Sequence, residues 1–282
     1  MADKSYPLNN GIQIPALGLG TWQGPASSVR TAVSHALLNG YRLIDGAYCY
    51  ANEEAVGQGI ADALATGTIK REDIFVVTKI WATYNTRVEL GLDKSLKALG
   101  LDYVDLLLVH WPLLMNPEGN DDRFPKLEDG RRDIIWGWDH VEVWKQMEGV
   151  LGKGKVRGIG VSNYSKRYLE QLLPHATVIP AVNQIENHPA LPQQEIVDLC
   201  KEKGIHIMAY SPFGSTGVAR GSTVLAKSVT PERIDANKKL IDLDTDDVKL
   251  LNDYSDALTK EGKLQRFVYP PFGVDFGFPD KS

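Results

Sequence analysis

Short apolar runs alternate with helix-period segments along most of the chain. The runs are ALGLGT (16–21), RLIDGA (42–47), IFVVTKI (74–80), VDLLLVHW (104–111), VRGIGVSN (156–163), IPAVNQIEN (179–187), IHIMAYSP (205–212) and TVLAKSV (223–229). Several are continuous and β-branched, the pattern of parallel strands buried on both faces. Amphipathic helices lie between them. Val29, Ala32, Val33, Ala36 and Leu37 share one helical face, and Trp144, Met147 and Leu151 share another; such stripes are read as core. Gly40, Gly100, Gly154 and Gly204 follow helical segments, where a left-handed cap favours glycine. Eight parallel strands with intervening helices predict an α/β protein, a (β/α)8 TIM barrel in one domain over residues 1–282. The prefix YPLNNGIQIPAL reads as a hairpin around Asn9-Asn10-Gly11 that closes the N-terminal end of the barrel.

Two connections break the rhythm. Leu113 to His140 is long and rich in Pro, Gly and charge, a length usually kept for functional lids. Between Pro212 and Thr223 lies only FGSTGVARGS. A parallel crossover takes a dozen or more residues, and a whole βαβ unit about 30 or more. The helix between the seventh and eighth strands is therefore expected to be missing.

Composition narrows the function classes. Lys and Arg number 31 against 36 Asp and Glu, a net charge of −5, and no basic cluster stands out, so nucleic acid is not an expected partner. Cys49 and Cys200 form no CxxC pair, which fits a reducing compartment without disulfide or Cys-type zinc site. No signal-peptide core and no run of 18 apolar residues is present, so a cytoplasmic protein with no membrane partner is expected.

The predicted strand ends carry the polar residues: Asp45, Lys79 and His110, then Ser162-Asn163, Asn183-Gln184-Ile185-Glu186, and Tyr210-Ser211. Singly, Asp45 could cap a turn, Lys79 snorkel to solvent and His110 be a satisfied core histidine. Together they converge on the C-terminal rim, where barrels of this kind keep their active sites. Tyr50 then gains a role. A phenol with a pKa near 10 is a poor general acid at neutral pH, and a neighbouring ammonium lowers that pKa. Lys79, oriented by Asp45, supplies the charge, and a neutral His110 hydrogen-bonds a substrate oxygen. Such a group protonates a developing alkoxide. HExxH, Cys/His clusters and GxSxG are absent, and the glycines of GLGTWQG miss the dinucleotide-loop spacing. LAKSVTPERIDAN places Lys227 and Ser228 at a strand end and Arg233 in the next helix, an anion site or an ordinary capped helix.

RLIDGAYCYANEEAVG, VVTKIW, DLLLVHWP, GVSNY, AVNQIENHP and LAKSVTPERI together resemble the aldo-keto reductases, in order from Ala16 to Asn237. The tail FVYPPFGVDFGFPDKS and the long loop look like fungal NADP-dependent glycerol dehydrogenase or glyceraldehyde reductase members. The resemblance implies NADP(H) bound extended along the barrel, with Tyr50, Asp45, Lys79 and His110 catalytic. Nicotinamide would stack on Tyr210, its carboxamide held by Ser162, Asn163 and Gln184. Thr21, Trp22 and Asp45 would line the reactive end, and Ser211, Phe213 and Ser215 would also touch the cofactor. Lys227, Ser228, Arg233 and Asn237 would grip the 2′-phosphate. Trp22, Trp81 and Trp111, with Tyr50 and His110, would wall the substrate site, although these tryptophans could equally fill core. The reaction implied is reversible reduction of small glyceraldehyde- or aldose-like aldehydes by a monomer, without metal. A non-catalytic NADP(H)-binding regulatory protein on the same barrel is the alternative; an aldolase-type barrel would need Lys79 as a Schiff base. Family members carry a loop and helix where this chain has FGSTGVARGS, so roughly one barrel unit is absent. Either a gating segment is missing from the sequence as it stands, which is the favoured explanation, or the deletion is real.

Overall fold

A computed structural model of the chain describes residues 4–212, 222–239 and 243–281. The prefix forms the expected hairpin. β1 (Ser5–Pro7) and β2 (Gln13–Pro15) pair antiparallel, with Ser5 opposite Pro15. Eight further strands close into a parallel barrel: β3 (Leu17–Gly20), β4 (Leu43–Asp45), β5 (Phe75–Ile80), β6 (Leu106–Val109), β7 (Ile159–Ser162), β8 (Val182–Glu186), β9 (His206–Tyr210) and β10 (Thr223–Lys227). Each lies inside one of the eight apolar runs, and β10 closes the ring against β3, Lys227 beside Gly20.

The crossover helices are α1 (Ala26–Leu38), α2 (Glu53–Ala65), α3 (Val88–Leu99), α4 (Val141–Val150), α5 (Lys166–Leu172) and α6 (Gln194–Glu202). After β10 come α7 (Pro231–Asn237) and α8 (Thr245–Lys260). α1 buries the predicted stripe of Val29, Ala32, Val33, Ala36 and Leu37, and α4 buries Trp144 and Met147. Gly100 caps α3 in the left-handed region at φ 65°, where a Cβ would be strained.

Apolar side chains separate into two layers. Leu43, Phe75, Val77, Leu106, Leu108 and Met208 point inward and fill the barrel, with Leu8 and Ile14 of the hairpin in the same cluster. Leu107, Val109 and Val161 belong to the larger cluster shared with the helices. Alternate residues of a strand face opposite sides, which is why neighbouring residues such as Leu107 and Leu108 join different layers.

Between β9 and β10 no helix lies among the described residues; residues 211–222 make the whole connection, and the two strands pair directly. Phe213 to Gly221 of this connection lie outside the described residues. Outside β9 lies a cleft of about 1030 Å³, bordered by Val197 of α6, Ile207 of β9, and Val248 and Leu251 of α8. α8 buries none of its residues.

Two helix glycines test the packing of the outer layer. A Cβ on Gly57 would stand 2.2 Å from the Leu99 carbonyl oxygen, and one on Gly59 2.5 Å from the Arg30 carbonyl oxygen. Alanine gains roughly 0.5–1 kcal/mol of helix preference over glycine, but overpacking against backbone costs roughly 1–3 kcal/mol. Clash wins: Gly57→Ala and Gly59→Ala should each lower stability in urea melts, and a gain would show that α2 is not held this close. Acid should weaken the fold through His206. Its Nε2 accepts from the Thr223 N–H (3.1 Å), and burial lowers its pKa to about 4. The unfolded chain takes up that proton below about 6.5, so this stabilisation is complete above that pH and is lost as pH falls toward 4. His206→Gln should flatten that part of the Tm-against-pH curve.

Candidate active site

Three adjacent strands deliver the first three charged or polar groups. Asp45 ends β4, Lys79 is the penultimate residue of β5, and His110 follows β6, its N–H donating to the Ile80 carbonyl (3.0 Å). Tyr50 sits on the single 3-10 turn Tyr48–Tyr50 beyond β4. All four converge. Lys79 Nζ donates to Asp45 Oδ1 (2.9 Å) and Oδ2 (2.8 Å) and to the Gly46 carbonyl (2.9 Å), and reaches Tyr50 Oη at 3.3 Å. Gln184 Nε2 donates to Asp45 Oδ1 (2.8 Å). Lys79 is fully buried, so it does not snorkel. The His110 ring meets Tyr50 edge-on at 5.5 Å and Trp81 at 5.1 Å.

The electrostatics correct one expectation. The Tyr50 pKa is held well above 10, first by burial and then by the Asp45 charge, with Cys49 and Tyr210 adding to it. Burial of the phenol and the Asp45 charge outweigh the ammonium beside it. Tyr50 therefore keeps its proton at neutral pH. His110 is driven well below 6.5 by burial and then by the Lys79 charge, so its ring is neutral, as expected.

A second group of polar side chains lines the rim beside β7 to β9. Ser162 Oγ donates to the Gln184 carbonyl (2.9 Å), Asn163 Nδ2 donates to the His110 carbonyl (2.9 Å), and Tyr210 Oη donates to Asn163 Oδ1 (2.8 Å). Asn163 and Ser211 take φ 61° and 50°, left-handed values that non-glycine residues seldom adopt and that cluster at functional sites. Thr21 Oγ1 donates to the Asp45 carbonyl (2.9 Å). Gln184 Oε1 takes no hydrogen bond from the described residues while its amide nitrogen is committed to Asp45. That leaves an acceptor suited to a carboxamide N–H next to a half-buried phenol ring, a chemistry that fits nicotinamide.

At the end of β10, Lys227 and Arg233 are exposed and form no ion pair among the described residues. Ser228 Oγ accepts from the Thr230 N–H (3.1 Å), and Asn237 ends α7. These two unpaired cations fit a phosphate. Phe213 and Ser215 lie outside the described residues. Asn183 and Glu186 do not join the site: Asn183 Nδ2 donates to the Tyr164 carbonyl (2.9 Å), and Glu186 accepts from the Phe267 and Val268 N–H groups of the tail.

The aromatic residues divide. Trp22 is 43% exposed. Trp81 and Trp111 are buried, yet they line the His110 side together with Phe124 of the long loop and Phe272 and Phe276 of the tail. Sequence reasoning missed several residues. Cys49 Sγ stands 3.5 Å from His110 Nδ1, and Asn52 Nδ2 donates to the Thr21 (2.9 Å) and Gly24 (3.1 Å) carbonyls, fastening the turn after β3. Nothing in the sequence pointed to Asn52, since its targets are about thirty residues away.

Among the described residues no group of three His, Cys, Asp or Glu side chains could hold a metal ion, and no helix is long and apolar enough to cross a membrane.

Comparison with known proteins agrees with this geometry. Residues 16–264 match the model of the Aldo/keto reductase family. A D-galacturonate reductase of Hypocrea jecorina is 67% identical over 310 positions, covering 100% of both chains. Those 310 positions exceed the 282 residues here, so at least 28 of them have no counterpart in this chain. A glycerol 2-dehydrogenase (NADP(+)) of Saccharomyces cerevisiae is 41% identical, covering 96% of each chain. The solved structure of the aldose reductase from Schistosoma japonicum superposes with a TM-score of 0.83 at 34% identity, covering 89% of this chain and 91% of that one. With the barrel, the Asp45-Tyr50-Lys79-His110 cluster and these likenesses together, the chain belongs to the aldo/keto reductase family, as its motifs led us to expect.

Proposed function

We propose that the chain is an NADPH-dependent reductase that converts the aldehyde group of small polyhydroxylated substrates, sugar aldehydes and sugar acids among them, to the alcohol. One observation carries this reading: Lys79 Nζ, locked on both Asp45 oxygens, reaches the hydroxyl of a protonated Tyr50 beside a neutral His110. The relatives named for D-galacturonate and glycerol support the substrate class. We place the activity in one domain acting as a monomer.

NADPH, when bound, supplies hydride to the carbonyl carbon. The chain does the rest. Ser162, Asn163 and Gln184 hold the carboxamide, Tyr210 supports the ring face, and Thr21 and Trp22 border the reactive end. Lys227, Ser228, Arg233 and Asn237 hold the 2′-phosphate. The substrate oxygen sits between Tyr50 Oη and the His110 ring, where a neutral imidazole donates a hydrogen bond without competing as an acid. As negative charge grows on that oxygen, Tyr50 passes its proton across. Lys79 stabilises the phenolate left behind, its own charge held in place by Asp45. The same groups run in reverse for alcohol oxidation, with the tyrosinate as base.

Tyr50→Phe should lower kcat for NADPH oxidation with glyceraldehyde about 10²- to 10⁴-fold while leaving the thermal melt in place, the range expected for loss of a general acid. Retention of most activity would sink the mechanism and favour the cofactor-binding regulatory alternative. Lys227→Ala and Arg233→Ala should each weaken NADPH about ten- to hundredfold, the range for losing a charge-assisted hydrogen bond, and should affect NADH far less. Equal loss for both cofactors in a fluorescence titration would move the 2′-phosphate elsewhere.

A further inference from the structure

The long connection after β6 carries a cation that the proposed chemistry does not use. Asp122 and Arg123 are pinned to the barrel mouth. The Asp122 carboxylate accepts from the hydroxyls of Tyr48 and Tyr84 and from Lys94 Nζ (3.1 Å), and its carbonyl accepts from Thr83 Oγ1 (2.7 Å). The Arg123 carbonyl accepts from Trp81 Nε1. The guanidinium of Arg123 lies over the Tyr48 ring, 4.8 Å from its centroid, and Nε donates to the Tyr48 carbonyl (3.2 Å). Tyr48 and Tyr50 share one 3-10 turn, and the Trp81 ring stands 5.1 Å from His110. Arg123 is therefore fixed at both ends beside the proposed proton donor. Its charge is felt by Cys49, the residue between Tyr48 and Tyr50.

Its charge also reaches Asp121 and Glu53, but neither forms an ion pair with it. Asp122 is occupied by two phenols and Lys94, and Asp121 Oδ1 accepts from the backbone N–H groups of Arg123 (2.9 Å) and Phe124 (2.6 Å). Among the described residues Arg123 forms no ion pair, and its two terminal Nη groups make no hydrogen bond. Half-buried, stacked and anchored through Nε, it presents an unused fork whose geometry matches the two oxygens of a carboxylate. Arg132, another cation on this loop without an ion pair among the described residues, stacks on Phe124 (4.8 Å) and spends Nη1 on its carbonyl (3.1 Å).

We propose that Arg123 is a specificity-determining residue that receives a carboxylate at the far end of the substrate, so that the site selects aldehydes of the uronic-acid class over uncharged ones. This rests on the reductase reading above. Aldehyde and carboxylate lie at opposite ends of a uronic acid, so one end can meet Tyr50 and His110 while the other pairs with Arg123. A bidentate guanidinium–carboxylate pair remote from the reacting carbon binds substrate and transition state alike.

The test uses the full chain with NADPH and measures kcat/KM for D-galacturonate and for D-glyceraldehyde. In Arg123→Gln the ratio of the two should fall about ten- to hundredfold, the range for one charge-assisted contact, and the loss should appear in KM rather than kcat. Arg123→Lys should restore part of that ratio by keeping charge without the fork. An unchanged ratio in Arg123→Gln, including equal loss for both substrates, would overturn the assignment, as would a galacturonate-specific loss found only in Arg132→Gln. If the wild-type chain reduces glyceraldehyde but not galacturonate, the reductase reading stands and the Arg123 assignment falls. If it reduces neither, both fall.

Discussion

The site depends on one buried ion pair. Lys79 is fully buried and Asp45 nearly so, and a lone charge at either position would carry a desolvation cost of several kcal/mol. The pair is tolerable because it is fully dressed: Gly46 gives a carbonyl to the ammonium, and Gln184 gives an amide N–H to the carboxylate. It also sets the protonation of its neighbours in opposite directions. The Asp45 charge helps keep the proton on Tyr50, and the Lys79 charge helps keep His110 neutral. An acid that stays protonated and an imidazole that stays neutral are the two states the proposed reaction needs. Both follow first from burial, with the charges of the pair adding to it.

Around this rigid centre the connections shape the mouth. The strands place chemistry, whereas Phe124 comes from the loop after β6 and Phe272 and Phe276 from the tail. The tail is not loosely draped. Glu186 accepts from Phe267 (2.7 Å) and Val268 (2.9 Å), and a buried Arg266–Asp280 pair (2.7 Å) closes it on itself. Glu186 thus ends its strand to anchor the tail over the site. Barrels of this kind vary selectivity through such segments without disturbing the strands.

The short connection after β9, with no helix among its described residues, has a different consequence. Strand pairing needs only backbone groups brought into register, so β9 and β10 pair directly and the ring closes. What a helix supplies is apolar cover outside the strand. Ile207 and Val197 instead border an open cleft, with α8 on its other side burying none of its residues. The inner layer, where the site is built, keeps its packing, while the outer layer bears the loss.

The sequence by itself determined the barrel, its eight strand positions, the hairpin plug, the short connection before the last strand and the cluster of Asp45, Tyr50, Lys79 and His110. It could do so because the period of apolar residues encodes which side of an element faces the core, and strand ends converge on one rim in a closed barrel. It misjudged the Tyr50 pKa, because a charge beside a phenol is visible in a motif while the burial of that phenol is not. Glu186 was drawn into the rim by its place at a strand end, yet its partners lie about eighty residues later. Arg123 gave no signal at all: it is one charged residue in a loop rich in them. Only the folded chain decides that its neighbours' carboxylates are already taken, because which charges remain unpaired depends on contacts between segments far apart in sequence.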